Sequence, residues 1–268
     1  MNPLPADRGQ RPAMQTAPLN RTLMAFGERP QGAPVLVCFG PAGCGPSFYR
    51  RWAKSLDAPT QLLAVHLPGR EGRHREARVT DFSQLVTQLA DDIHAQVSGE
   101  YSFFGHSLGA ALGFAVAQEM ENRHGRNASK VLISARTVPD ETRLTDVDPE
   151  CSNAQMIEFL VSLGCLPPQL AADTEAMAMY LPIIRDDLRL NLNAQGHRFG
   201  RVQADLVALA GTGDTLATPR QMQRWAQHTH RHFEQHDCQG GHFFILEQER
   251  QVIDLLRRLV HPTHTMEL

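Results

Sequence analysis

Residues 105–109 read Gly-His-Ser-Leu-Gly, and this pentapeptide with its flanks constrains the fold more than any other stretch. Before it, Tyr101-Ser102-Phe103-Phe104 is short, aromatic and strand-like. After it, Ala110 to Met120 is a small-residue helical pattern. A Gly-x-Ser-x-Gly between a strand and a helix demands a turn so tight that the serine backbone is strained. Glycines at 105 and 109 remove the Cβ atoms that would clash with the neighbouring strand and helix. Ser107 is thereby pushed out above a sheet, with a helix N-terminus beneath it. The same spacing also arises by chance; the strand before and the helix after favour the elbow.

The remaining chain supplies the sheet that such a turn needs. Strand candidates are 35–39, 61–66, 101–104, 131–134, 206–210 and 230–234. Helix candidates are 47–55, 82–97, 110–123, 219–228 and 243–259. Phe82, Leu85, Leu89 and Ile93 recur at helical spacing, as do Ile245, Val252, Leu255, Leu256 and Leu259; both read as core stripes. Strand and helix in alternation predict an α/β fold: a mostly parallel sheet with helices on both faces. From about 137 to 199 the rhythm stops. Helical pieces at 153–163, 173–179 and 181–193 are punctuated by Pro139, Gly164, Pro167 and Pro168. Helices inserted between two strands of an open sheet predict a lid over the strand C-termini, where ligands bind. The expected organisation is a disordered leader over 1–30 and a single domain over 31–262.

Composition excludes several classes of function. A net charge of −3 over 268 residues argues against a nucleic-acid binder, and no apolar run is long enough to span a bilayer. The first twenty residues are rich in Pro, Gln and Ala and lack the apolar stretch of a signal peptide, so a cytoplasmic location is expected. Cys38, Cys44, Cys151, Cys165 and Cys238 are odd in number and lack CxxC spacing, which predicts free thiols.

A serine at an elbow needs a base, and the base needs an acid to fix its tautomer. In this architecture the order along the chain is serine, acid, histidine, with the last two on loops at strand C-terminal ends. The run Asp205 to Ala210 feeds Gly211-Thr212-Gly213-Asp214, a glycine-rich turn carrying a carboxylate, so Asp214 is the expected acid. Asp205 lies at the wrong end of its strand, and Asp186 and Asp187 fall in the lid. Of thirteen histidines, His242 follows Cys238-Gln239-Gly240-Gly241 and opens the last helix, where the base is needed. His228, His230, His232 and His236 are evenly spaced, but no cysteine or carboxylate completes a metal site. His106 is expected to pack beside the elbow and not to act as the base. The oxyanion requires two backbone donors: Leu108, directly after the serine, and one from Gly40-Pro41-Ala42-Gly43-Cys44-Gly45. Pro41 has no N–H, which leaves Ala42.

Five segments together resemble a known family. They are Phe39-Gly40-Pro41-Ala42-Gly43-Cys44, Leu67-Pro68-Gly69-Arg70, Gly105-His106-Ser107-Leu108-Gly109, Leu181-Pro182-Ile183-Ile184-Arg185-Asp186-Asp187 and Gly240-Gly241-His242-Phe243. Their order over about 33–260 is similar to that of type II thioesterases, the stand-alone editing enzymes of non-ribosomal peptide and polyketide synthesis. The family usually carries Pro-His-Ala-Gly-Gly after its first strand; this chain departs from it there, but Ala42 keeps its place. The resemblance implies an α/β-hydrolase fold with no metal or organic cofactor. It implies hydrolysis of stalled or aberrant acyl groups, held as thioesters on the phosphopantetheine arm of carrier domains, through an acyl-serine. Carrier domains would then be the partners, and a monomer is expected.

Arg70, Arg73, Arg75 and Arg78 form a basic cluster. It reads either as a docking patch for an acidic carrier or as a solvated loop with Arg70 held inside. Serine chemistry alone also suits an acyl-CoA thioesterase, a carboxylesterase or an acyltransferase of the same fold.

Overall fold

The computed structural model describes residues 21–26, 32–56, 60–139 and 147–260. In chain order these form β1 (Leu23–Ala25), β2 (Val35–Phe39), α1 (Arg50–Ser55), β3 (Gln61–Val65), α2 (Phe82–Gln96), β4 (Tyr101–His106), α3 (Leu108–His124) and β5 (Lys130–Ser134). There follow α4 (Asn153–Ser162), α5 (Pro168–Ala171), α6 (Thr174–Asn193), β6 (Asp205–Gly211), α7 (Pro219–Met222), β7 (Phe233–Cys238), α8 (Phe244–Glu247) and α9 (Glu249–Val260). The strands make one seven-stranded sheet ordered β1-β3-β2-β4-β5-β6-β7. Every pairing is parallel except β1 with β3.

The sequence dictates a sheet buried on both faces. β2 reads Val-Leu-Val-Cys-Phe and every residue in it is buried. Its side chains alternate: Val35, Val37 and Phe39 join a core with α2 and α3, while Leu36 and Cys38 join a second core with Tyr49, Trp52 and α9. The α2 helix buries Phe82, Leu85, Val86, Leu89, Ala90 and Ile93, one face at helical spacing. Asp81 caps it by accepting the Gln84 amide at 2.9 Å. The α3 helix has no polar face over its first ten residues because it lies at the centre of the molecule. Its small residues let it sit close to the sheet; a Cβ on Gly113 would lie 3.1 Å from the Phe39 ring.

The lid lies between β5 and β6 as expected and has its own core, in which Met156 and Leu160 of α4 meet Met177, Leu181, Ile184 and Leu188 of α6. Ser152 and Gln155 form a reciprocal capping box at the start of α4. Two expected helices are here a single one. Pro182, which costs a helix one hydrogen bond, sits inside α6. The apolar stripe on either side of it packs onto α4, and that packing holds the helix through the proline.

Three further expectations are corrected. The sequence predicts a leader to residue 30, but Leu23–Ala25 is an antiparallel edge strand in register with Val65–Leu63; residues 1–20 and 27–31 lie outside the described residues. Three residues are too few to show alternation. The last strand starts at Phe233, not His230, because this edge strand is polar and only half buried and no apolar pattern marks its start. Of the four evenly spaced histidines only His236 is therefore in a strand, and among the described residues no cluster could hold a metal ion. The C-terminal helix is broken at Gln248 into α8 and α9.

Candidate active site

The elbow is built as its glycines require. Ser107 has φ 55° and ψ −119°, a conformation that side chains other than glycine rarely adopt, and it caps the start of α3. A Cβ on Gly105 would lie 2.2 Å from the Gly109 carbonyl oxygen. One on Gly109 would lie 2.1 Å from the Phe39 oxygen and 2.6 Å from the Gly40 oxygen. All three are backbone atoms with no room to move. The Ser107 N–H donates to the Ser134 carbonyl at 2.9 Å, tying the turn to the end of β5.

Asp214 and His242 arrive on the loops after β6 and β7. These loops are joined to each other: Thr212 N–H donates to Cys238 O and Gly213 N–H to Gly240 O, both at 2.8 Å. Asp214 is buried. Its Oδ1 accepts the amides of Leu216 (2.8 Å) and Ala217 (3.1 Å), and its Oδ2 faces His242 Nδ1 at 2.9 Å. The opposite ring nitrogen, His242 Nε2, is 3.1 Å from Ser107 Oγ. The structure thus brings together all three side chains that the sequence singles out. With the carboxylate accepting from Nδ1–H, Nε2 is left with its lone pair toward the serine hydroxyl, the arrangement needed to take a proton from it.

His106 is fully buried, with Nδ1 at 2.9 Å from Ser134 Oγ and its ring 5.4 Å from that of His242. Burial pushes its pKa well below the usual histidine range, so it is neutral. It packs against His242, as expected of a histidine beside the elbow, and its hydrogen bond goes to Ser134, not to the Ser107 hydroxyl. In the loop after β2, burial pushes the Cys44 thiol up to about 12, which keeps it un-ionised.

The expected oxyanion donors flank the serine. Leu108 opens α3, so its amide is among the first N–H groups of the helix, which have no intrahelical acceptor. Pro41, Ala42, Ser107, Leu108 and His242 line one cavity of about 50 Å³. The lid supplies its opposite wall with Phe159, Leu160, Leu163, Ile184, Leu188 and Asn191.

Some residues beside the cavity were not foreseen. Arg136, at the end of β5, is buried and donates through Nη1 to Asn191 Oδ1 at 2.5 Å; burial lowers its pKa to about 9. Asp187 on α6 is buried against Arg70. The signal for that pair was present as two charges in the motif-bearing segments Leu67–Arg70 and Leu181–Asp187. The basic cluster is largely consumed internally. Arg70 pairs with Asp187, Arg73 with Glu76 and Arg78 with Asp186, which leaves no uncompensated patch of four cations.

Comparison with known proteins agrees with this geometry. The Thioesterase domain family matches residues 34–260. Among relatives, linear gramicidin dehydrogenase LgrE of Brevibacillus parabrevis is 28% identical over 225 residues, 83% of this chain and 86% of that protein. Among solved structures, the type II thioesterase BorB from the borrelidin biosynthetic cluster superposes with a TM-score of 0.81 at 29% identity, covering 90% of this chain and 98% of that one. RedJ, the thioesterase of the prodiginine pathway of Streptomyces coelicolor, gives 0.79 at 26% identity over 92% and 90%. An elbow serine under a helical lid, on a sheet shared with these enzymes, is not a chance arrangement: the chain belongs to the thioesterase domain family and has the α/β-hydrolase fold.

Proposed function

We propose that Ser107, His242 and Asp214 hydrolyse thioesters of short acyl groups carried on the phosphopantetheine arm of carrier domains, and so clear stalled or aberrant units from a non-ribosomal peptide or polyketide assembly line. The observation that carries this reading is the unbroken relay from Asp214 Oδ2 through His242 to Ser107 Oγ at 2.9 and 3.1 Å, at a cavity walled on its far side by the inserted helices. His242 takes the Ser107 proton as Oγ attacks the thioester carbonyl. The amides of Leu108 and Ala42 hold the oxyanion. His242 then protonates the departing pantetheine thiolate, and water attacks the acyl-serine with His242 again as base. The relay lies within one domain over 31–262, and the helices between β5 and β6 act as its lid.

Cavity size supports a short acyl group. At about 10–15 Å³ for each enclosed water, the 50 Å³ beside the serine holds a few heavy atoms before the cavity opens outward. Its lid wall is apolar apart from Asn191. Relatives that act in assembly-line pathways, BorB and RedJ among them, support a carrier as the acyl donor. Hydride transfer is not favoured. A dinucleotide fold presents free amides to a pyrophosphate after its first strand, whereas here the Gly43 amide is taken by the Asp187 carboxylate at 2.6 Å.

The test is hydrolysis of one short acyl group presented on a phosphopantetheinylated carrier protein and on coenzyme A, with Ser107→Ala as control. Preference for the carrier, lost in the variant, is expected. Equal rates would make it a general acyl thioesterase; no turnover of either would favour an esterase or acyltransferase.

A further inference from the structure

The loop that carries Ala42 is held from the lid. Its core is a four-residue turn, Pro41–Cys44, closed by Cys44 N–H donating to the Pro41 carbonyl at 3.1 Å, with Gly43 at φ +81° in the third position. A positive φ there corresponds to a type II turn. Its central peptide is Ala42–Gly43, next in the chain to the Pro41–Ala42 peptide that carries the Ala42 N–H. The Gly43 N–H donates to Asp187 Oδ2 at 2.6 Å, across 144 residues of sequence. The same carboxylate is gripped by Arg70, with Nη1 at 2.8 Å from Oδ2 and Nη2 at 2.7 Å from Oδ1. Arg70 Nη1 also donates to the Cys44 carbonyl at 3.2 Å. One buried ion pair therefore holds the turn at its central N–H and at the Cys44 carbonyl that ends it.

The pair is not explained by stability. Both side chains are almost fully buried, at 5% and 3% exposure, and a buried pair roughly cancels its own desolvation cost. Its distinguishing property is what it connects. Arg70 is on the main body, in the loop after β3. Asp187 is on lid helix α6, one turn from Ile184 and beside Leu188, which line the acyl cavity. Packing reinforces the contact: a Cβ on Gly43 would lie 2.2 Å from Ile184 Cδ1 and 2.7 Å from the Tyr180 hydroxyl.

We propose that Asp187, held by Arg70, is a positioning residue of the oxyanion hole, fixing the Pro41–Cys44 turn so that the Ala42 amide faces the acyl site only while lid helix α6 is docked. Docking of the helix then shapes the acyl pocket and completes the oxyanion hole in one event. An open lid admits substrate to a site that cannot yet stabilise the tetrahedral intermediate. This inference rests on the serine-hydrolase chemistry proposed above, but not on which acyl donor is used.

Two variants test it. Asp187→Leu alone removes the acceptor of the Gly43 N–H and leaves Arg70 without its carboxylate. The double variant Arg70→Met with Asp187→Leu restores an apolar, uncharged contact between α6 and the body, yet provides no acceptor for Gly43 N–H. Two ligands are titrated: a trifluoromethyl ketone isostere of a short acyl-pantetheine, which forms a tetrahedral adduct with the serine, and the unreactive amide isostere. A wholly lost oxyanion donor costs about 10²–10³ in rate; for a mis-aimed one, a loss of about 30- to 100-fold is expected. That loss should appear equally in kcat and in ketone affinity for both variants, while amide affinity stays within about threefold. Should Asp187→Leu alone not fold, the double variant carries the test alone. Equal losses for the two ligands, or wild-type ketone affinity in the double variant, would reduce the pair to a lid fastener and overturn the proposal. Absence of any adduct in the wild type would refute the serine-hydrolase reading itself.

Discussion

Replacing Asp214 by asparagine should disable the enzyme through one proton, with the fold left intact. Two backbone amides, Leu216 at 2.8 Å and Ala217 at 3.1 Å, point at Oδ1. In Asp214→Asn they fix which way the amide lies: its oxygen must take the Oδ1 place to satisfy them, and its NH₂ must face His242. Nδ1 then has a donor opposite it and becomes the acceptor, so the proton moves to Nε2. Nε2–H stands 3.1 Å from Ser107 Oγ and cannot take the serine proton. Loss of the correct tautomer in serine hydrolases costs about 10⁴-fold in kcat, which at 1.36 kcal/mol per tenfold is about 5.4 kcal/mol of transition-state stabilisation. Stability should change little, since the turn keeps both its amide bonds and only the bond to His242 is altered, about 1 kcal/mol. Single-turnover hydrolysis of a short acyl thioester gives the rate, and thermal unfolding gives the stability. Retention of more than about a tenth of wild-type kcat, with an unchanged Tm, would refute the tautomer argument.

Other sites give sharper structural tests. Gly109→Ala places a Cβ 2.1 Å from the Phe39 carbonyl with only backbone around it, so a loss of about 3 kcal/mol, the upper end of overpacking, is expected in denaturant unfolding. Ile184→Ala removes part of the lid wall of the acyl cavity, and should shift the kcat/KM optimum across an acyl-length series toward longer chains. Ser152→Ala removes the hydroxyl that accepts the Gln155 amide at the start of α4 and leaves only the backbone half of the capping box, costing about 1 kcal/mol; hydrogen exchange should rise in the lid and not in β2 or β4. His106 makes stability depend on pH. Its folded pKa lies below the unfolded value, so the unfolded chain binds the extra proton as pH falls. Its contribution is complete above about pH 6.5 and declines below it, and His106→Gln should flatten that acid limb in urea titrations from pH 5 to 8 (a range chosen at roughly the unperturbed histidine pKa).

The sheet and the relay were legible because each has a local sign. Val35–Phe39 is apolar throughout, as a strand buried on both faces must be, and Gly105 and Gly109 mark the elbow by a steric need that the backbone contacts bear out. Asp214 and His242 each follow a strand through glycines, so their placement at the end of the sheet could be read from order alone. What escaped had no such sign. The edge strand Leu23–Ala25 takes its identity from a partner forty residues away, and the polar edge Phe233–Cys238 has no alternation to fix where it begins. The sequence pattern splits α6 between 179 and 181, whereas the packing onto α4 that makes it one helix is not local. The Arg70–Asp187 pair joins positions 117 residues apart; the sequence allowed Arg70 to be held inside, but nothing local named Asp187 as its partner.

The central claim is that Ser107 carries the acyl group during turnover. Mixing the enzyme with a short acyl-pantetheine thioester, quenching in acid and mapping peptides by mass spectrometry tests it directly. The account predicts a transient acyl adduct on the peptide containing Ser107, formed before the product acid and absent from Ser107→Ala, which should not turn over. An adduct on another residue, or hydrolysis by Ser107→Ala at a rate near that of the wild type, would contradict it.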